Sequence, residues 1–113
     1  MPNLPTPLEN EVHELHAGLC SALADPKRLM ILYALHEGAQ SVGDLGDLLS
    51  LPQPTTSRHL KILRDRGLVS PQRAGGSVIY SLTDTRVIEA LDLLRSVMRD
   101  IYDRAAAVVN RAE

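Results

Sequence analysis

The chain has 113 residues, with 12 Lys and Arg against 14 Asp and Glu, and its residues are 44% apolar and 23% charged. That is one small domain of ordinary globular composition, which argues against two independent cores and against disorder. No apolar run approaches the ~18 residues of a membrane helix, no basic-then-apolar leader opens the chain, and the one cysteine, Cys20, allows neither an internal disulfide nor a multi-cysteine zinc site. The expected compartment is the cytoplasm, with no membrane partner.

Pro2, Pro5 and Pro7 make residues 1–8 an extended, frayed arm, and residues 9–113 read as a single domain. A first helix begins at Glu9, with Val12, Leu15, Leu19 and Ala22/Leu23 as its apolar stripe. Asp25-Pro26 caps and starts a second helix carrying Leu29, Ile31/Leu32 and Leu35. Ser41-x-x-Asp44 opens a short third helix with Leu45, Leu48 and Leu49 on one side, and Ser50-Leu51-Pro52 stops it. A fourth helix covers residues 53–66, with Pro54 near its start, Gly67 past its end, and Leu60 and Ile62/Leu63 as its buried side. The third and fourth helices, joined by a short turn, make a helix-turn-helix.

Beyond Gly67 the period shortens. Leu68-Val69-Ser70 and Val78 to Leu82, around a Gly75-Gly76 tip, predict a two-stranded hairpin, a wing behind the fourth helix. Thr83-Asp84 caps a last helix over residues 85–110, striped by Ile88, Leu91, Leu94, Met98, Ile101, Ala105 and Val108. At 1.5 Å per residue it is a rod of about 38 Å, longer than a compact domain of this size can cover. The fold class is mainly α with a small β-hairpin: a winged helix-turn-helix, homodimeric through its N- and C-terminal helices. The competing reading folds the last helix over its own domain.

Charge is distributed unevenly. Residues 1–25 carry Glu9, Glu11, Glu14 and Asp25 with no cation, whereas residues 53–73 carry Arg58, Lys61, Arg64, Arg66 and Arg73 against Asp65 alone. A phosphate backbone responds to this local density, not to the net charge of −2. With no Trp, no Phe and only three Tyr, the chain is poorly equipped to stack single-stranded bases, so the expected partner is duplex DNA. Gln53, Thr55, Thr56, Ser57 and His59 occupy the first two turns of the fourth helix, where a recognition helix meets base edges. Arg58 and Lys61 suit phosphates, and Arg73 with the wing tip through Ser77 suits an adjacent minor groove or its backbone. The plainer alternatives are that the hydroxyls merely cap the helix and that His59 has no role.

Leu23-Ala24-Asp25-Pro26-Lys27-Arg28-Leu29-Met30-Ile31-Leu32 resembles the opening signature of the ArsR/SmtB family of bacterial repressors. Thr55 to Leu63, Asp65-Arg66-Gly67-Leu68-Val69, the wing from Arg73 to Tyr80, and Leu82-Thr83-Asp84 are similar to later parts of that family in the same order. The resemblance implies a homodimeric repressor in the bacterial cytoplasm, seated on an imperfectly palindromic operator and released by an inducer, often a metal ion. The metal pattern itself is broken. The family's Cys-x-Cys falls on Ser41-Val42-Gly43, and its last-helix ligand set falls on Asp84, Arg86, Val97 and Asp100, leaving two carboxylates. No cofactor is expected.

His13, His16 and Cys20 share one face of the first helix and form a remaining metal-ligand candidate, which Asp100 or Asp103 of a partner subunit would complete. Cys20 reads first as core packing, a small hydrophobe on the Leu15–Leu19–Leu23 side, then as a thiol open to modification as an effector site, and only after these as a metal ligand. An enzyme is not expected: Cys20 with His16 is the nearest nucleophile–base pair, and no Gly-rich loop or paired carboxylates accompany it. The alternative function is a winged-helix protein–protein interaction module without specific DNA binding, which would have no need of the basic face on residues 53–66.

Overall fold

The computed structural model describes residues 6–112. The chain divides into two compact units, Met1–Thr83 and Asp84–Glu113.

The first unit opens with α1 (Thr6–Leu15), which runs through a π-helical turn (His16–Cys20) into α2 (Ser21–Leu23). Helix begins three residues before Glu9, because a proline in a first turn gives up an N–H that has no helical partner anyway, so Pro7 does not delay it. The rest of the expected arm, residues 1–5, lies outside the described residues. Ser21 Oγ donates to the carbonyls of Ala17 (2.8 Å) and Gly18 (2.9 Å) beside the widened turn. Asp25, in extended backbone, then caps α3 (Pro26–Glu37), accepting from the N–H groups of Lys27 and Arg28.

α4 (Val42–Leu49) is capped by Ser41, whose Oγ accepts from Asp44 N–H at 3.1 Å. It ends on Ser50 in the left-handed conformation (φ 56°), and Leu51 N–H turns back onto Gly46 O at 2.8 Å. A Cβ at Gly46 would lie 2.9 Å from Leu51 O and 3.3 Å from Thr56 Oγ1, so the turn into α5 (Gln53–Asp65) closes this tightly only over a glycine. Gly67, at φ +79°, ends that helix, and Leu68 N–H bonds back to Leu63 O.

The wing is β2 (Val69–Ala74) and β3 (Ser77–Leu82), antiparallel, with Ala74 opposite Ser77 across the Gly75-Gly76 turn. The sheet has three strands where two were expected, because β1 (Gln40–Ser41) pairs with β3 on its other side in the order β1-β3-β2. Two residues are too few to show an alternation, so only the pairing reveals this strand. α3 packs against α4, α5 and β3, and α5 against α4 and β2. Ile31, Leu32, Leu45, Leu60, Leu63 and Val69 are essentially sealed from water at the centre of this packing. Thr83 fastens the base of the wing to the end of α5, its Oγ1 donating to Gly67 O at 2.6 Å and its N–H to Leu68 O.

The second unit is α6 (Arg86–Ala112), begun at Asp84, whose carboxylate accepts from Arg86 N–H at 2.9 Å. Ile88 and Leu91 are buried, whereas Leu94, Val97, Met98, Ile101 and Val108 are exposed. No described helix is long and apolar enough to cross a membrane.

Candidate nucleic-acid interface

α5 has two contrasting sides. Thr56, Leu60 and Leu63 are buried, a spacing of four and three that defines one helical face. Ser57, Arg58, Lys61, Arg64 and Arg66 are all exposed on the remainder. The helix therefore spends Leu60 and Leu63 on the core and turns hydroxyl, amide and cationic groups outward; Ile62, expected on the buried side, is exposed among them, because it sits two residues from Leu60 and so off the face that Leu60 and Leu63 share.

Taken in order, Gln53 is exposed and lines a shallow depression with Ser41, Val42, Gly43, Ser77 and Val78. This depression brings two of the expected contacts, Gln53 on the helix and Ser77 on the wing, to one place. The start of α4 joins them there, unanticipated because only the strand pairing of Ser41 with Ile79 carries it to the wing. Thr55 is half-buried and its Oγ1 accepts from Arg58 Nη2 at 3.3 Å, drawing that exposed guanidinium back along the helix. Lys61 donates to Asp65 Oδ2 at 3.0 Å, four residues on, and this hydrogen bond holds the Asp65 carboxyl below its ordinary range. Arg73 and Ser77 are exposed on facing strands beside the glycine turn.

Two of the expected contacts differ. Thr56 does not face outward: it is fully buried, and its hydroxyl donates to Pro52 O at 3.1 Å within the tight α4–α5 junction. A hydroxyl sealed there cannot touch a base, so Thr56 belongs to the fold. His59 is half-buried, and its Nδ1 lies 3.3 Å from Nη1 of Arg28 on α3. That guanidinium also reaches the carbonyls of Ala22 and Ser21 and lies 4.0 Å from the Asp25 carboxylate. Arg28 escaped the sequence reading because an arginine three residues past a cap has many places to go, and only the tertiary fold brings α5 alongside.

The N-terminal candidates stand apart from this surface. No residue of α1 or the π turn is buried, and Cys20, expected as a small hydrophobe in the core, is exposed in the single chain. His13 and His16 are exposed too, and among the described residues no group of three or more His, Cys, Asp or Glu side chains is placed to hold a metal ion. At the head of α6, Arg86 forms an ion pair with Asp84 (Nη2 to Oδ2, 2.7 Å). The Arg86 side-chain and backbone hydrogen bonds bring the Asp84 carboxyl down to about 2, so this carboxylate is already engaged by an internal cation.

Residues 25–70 match the sequence profile described as bacterial regulatory protein, arsR family. The chain is 43% identical over 86 residues to the HTH-type transcriptional regulator NmtR of Mycobacterium tuberculosis, covering 76% of this chain and 72% of that protein. It is 41% identical over 83 residues to the HTH-type transcriptional repressor SmtB of the same organism, covering 74% of this chain and 62% of the relative. Among solved structures, NolR from Sinorhizobium fredii superimposes with a TM-score of 0.74 at 37% identity, over 86% of this chain and 96% of that one.

Proposed function

Because the chain belongs to the ArsR family of bacterial regulatory proteins, we propose that it is a homodimeric transcriptional repressor that reads duplex DNA with the outward face of α5. The observation that carries this reading is the division of α5 itself, with Leu60 and Leu63 sealed in the core and Ser57, Arg58 and Lys61 exposed on the other side. Gln53, Thr55, Ser57 and His59 supply contacts to base edges; Arg58 and Lys61 supply contacts to phosphates. Arg73 and Ser77 extend the footprint through the wing. The work is binding, with no bond made or broken, and its place is the cytoplasm.

Dimerisation is assigned to α1 and to α6. Their exposed apolar residues, Leu8, Val12, Leu15 and Leu19 on one and Leu94, Met98, Ile101 and Val108 on the other, are more than a monomer leaves facing water without a partner. Two copies related by a twofold axis read an imperfect palindrome with half-sites about one helical turn apart.

Selection from random duplex DNA, with sedimentation of the free protein, tests this. The expected outcome is a dimer in solution and a selected site with inverted symmetry. A protein that stays single-chain at working concentration, or selects a lone asymmetric half-site, contradicts it. On the selected duplex, Ser57→Ala should weaken binding by about 1–3 kcal/mol and relax the preference at one position. Lys61→Ala should weaken all duplexes alike and lower the salt slope by about 1.

A further inference from the structure

Arg28 uses its whole guanidinium within the fold, and its side chain is only 13% exposed. Nε donates to Ala22 O at 2.6 Å and Nη2 to Ser21 O at 3.3 Å, at the end of the helix that closes with Leu23. Carbonyls there lack a full set of helical partners and carry the negative end of the helix dipole, which suits a cation. The third arm, Nη1, meets Nδ1 of His59 at 3.3 Å, on the helix that faces DNA in the reading above.

A guanidinium has donors and no acceptor, so Nδ1 of His59 must accept, and the ring proton must reside on Nε2. No described residue takes up that Nε2–H. The distinction matters at a DNA surface. An Nε2–H donor pairs with phosphate oxygens and with the N7, O6 and O4 acceptors of the major groove, whereas the other tautomer presents a lone pair that phosphates and those acceptors repel.

We propose that Arg28 is a positioning residue for DNA reading: it fixes His59 as the Nε2–H tautomer, a ready donor to duplex DNA, and ties that donor to the end of the N-terminal helix. The role rests on α5 being the DNA-facing helix. It also gives the first helix a direct polar connection to the reading face, made through one side chain.

Nitrogen-15 spectra of the free full-length protein, at a pH where the imidazole is neutral, read the tautomer directly. His59 should show the Nε2–H pattern in the wild type and a mixture in Arg28→Met. On a duplex selected from random DNA, Arg28→Met and His59→Ala should each weaken binding about tenfold, and the double variant should lose about tenfold, not a hundredfold. Arg28→Met with Lys61→Ala should instead multiply the two separate losses. Should Arg28→Met fail to fold, Arg28→Gln keeps a polar side chain there but can offer Nδ1 an acceptor as well as a donor, and loss of the pure Nε2–H pattern with an unchanged melting temperature supports the role. An Nδ1–H or exchange-averaged His59 in the wild type overturns it, as does a pattern unchanged in the folded Arg28 variant, or multiplicative losses for Arg28 and His59. If the wild type selects no duplex at all, the DNA-reading function falls, while the spectra still report whether Arg28 holds the ring.

Discussion

α5 and α6 carry apolar residues at the same helical spacing and meet opposite fates. In α5 the stripe is sealed: Leu60 and Leu63 have no measurable exposure. In α6 burial stops after Leu91, and Leu94, Ile101 and Val108 stand 64%, 52% and 63% exposed. α1 resembles α6 in this respect, with no buried residue and Leu8, Val12 and Leu15 between 44% and 50% exposed. Periodicity thus says that a helix has a side to bury, and only the fold says whether the same chain buries it. A stripe satisfied internally builds the scaffold; one left open is the face that the dimer proposed above would cover.

Two substitutions separate these cases most sharply. Leu60→Ala opens a cavity in the sealed side of α5 and should cost about 2–5 kcal/mol in urea unfolding, at every protein concentration once referred to the same dimer equilibrium. Leu94→Glu with Ile101→Glu should leave the helical signal intact yet raise the dimer dissociation constant by about 100-fold or more, read by sedimentation, because charges would be desolvated in the pairing face. If the glutamates unfolded the single chain while leaving assembly unchanged, the contrast between the two helices would be wrong.

A finer test bears on the turn that aims α5. Gly46→Ala puts a methyl group 2.9 Å from the backbone oxygen of Leu51, which cannot swing aside as a flexible side chain would. Destabilisation of about 1–3 kcal/mol is expected from such overpacking, together with weaker duplex binding as α5 shifts on α4. Unchanged melting and binding would mean that the junction has slack.

The division between α5 and α6 also governs what was legible in the sequence. Helix order, the caps at Asp25 and Ser41, the turn at Gly67 and the Gly75-Gly76 hairpin rest on local chemistry, and local chemistry is written in neighbouring residues. Thr56 was misread because three adjacent hydroxyls look alike until the Gly46–Leu51 junction closes over one of them. Cys20 was open to core packing because its spacing matches Leu15, Leu19 and Leu23, and spacing is silent on whether a stripe is covered. Arg28 and His59 are 31 residues apart, so their meeting has no local signal. What failed to show in the sequence was in each case a long-range contact or its absence.

The smallest effect concerns how the two helices begin. α5 starts at Pro52 with no side-chain cap, whereas α6 starts on the carboxylate of Asp84, braced by Arg86. Hydrogen bonds from Arg86 lower that carboxyl from 3.8 to about 2, so the folded protein holds the proton less readily than the unfolded chain does. The stabilisation is therefore complete above about pH 4 and is lost as pH falls through 2, a window set by the two values themselves. Asp84→Asn retains a capping oxygen and removes the titration. The stability gap between wild type and this variant should be constant at neutral pH, close between pH 4 and pH 2, and shrink in high salt because both partners are solvent-accessible. Thermal melts across that range at low and high salt would read it, and a gap that stayed constant down to pH 2 would show that the titration of Asp84 contributes nothing to it, leaving α6, like α5, started without help from charge.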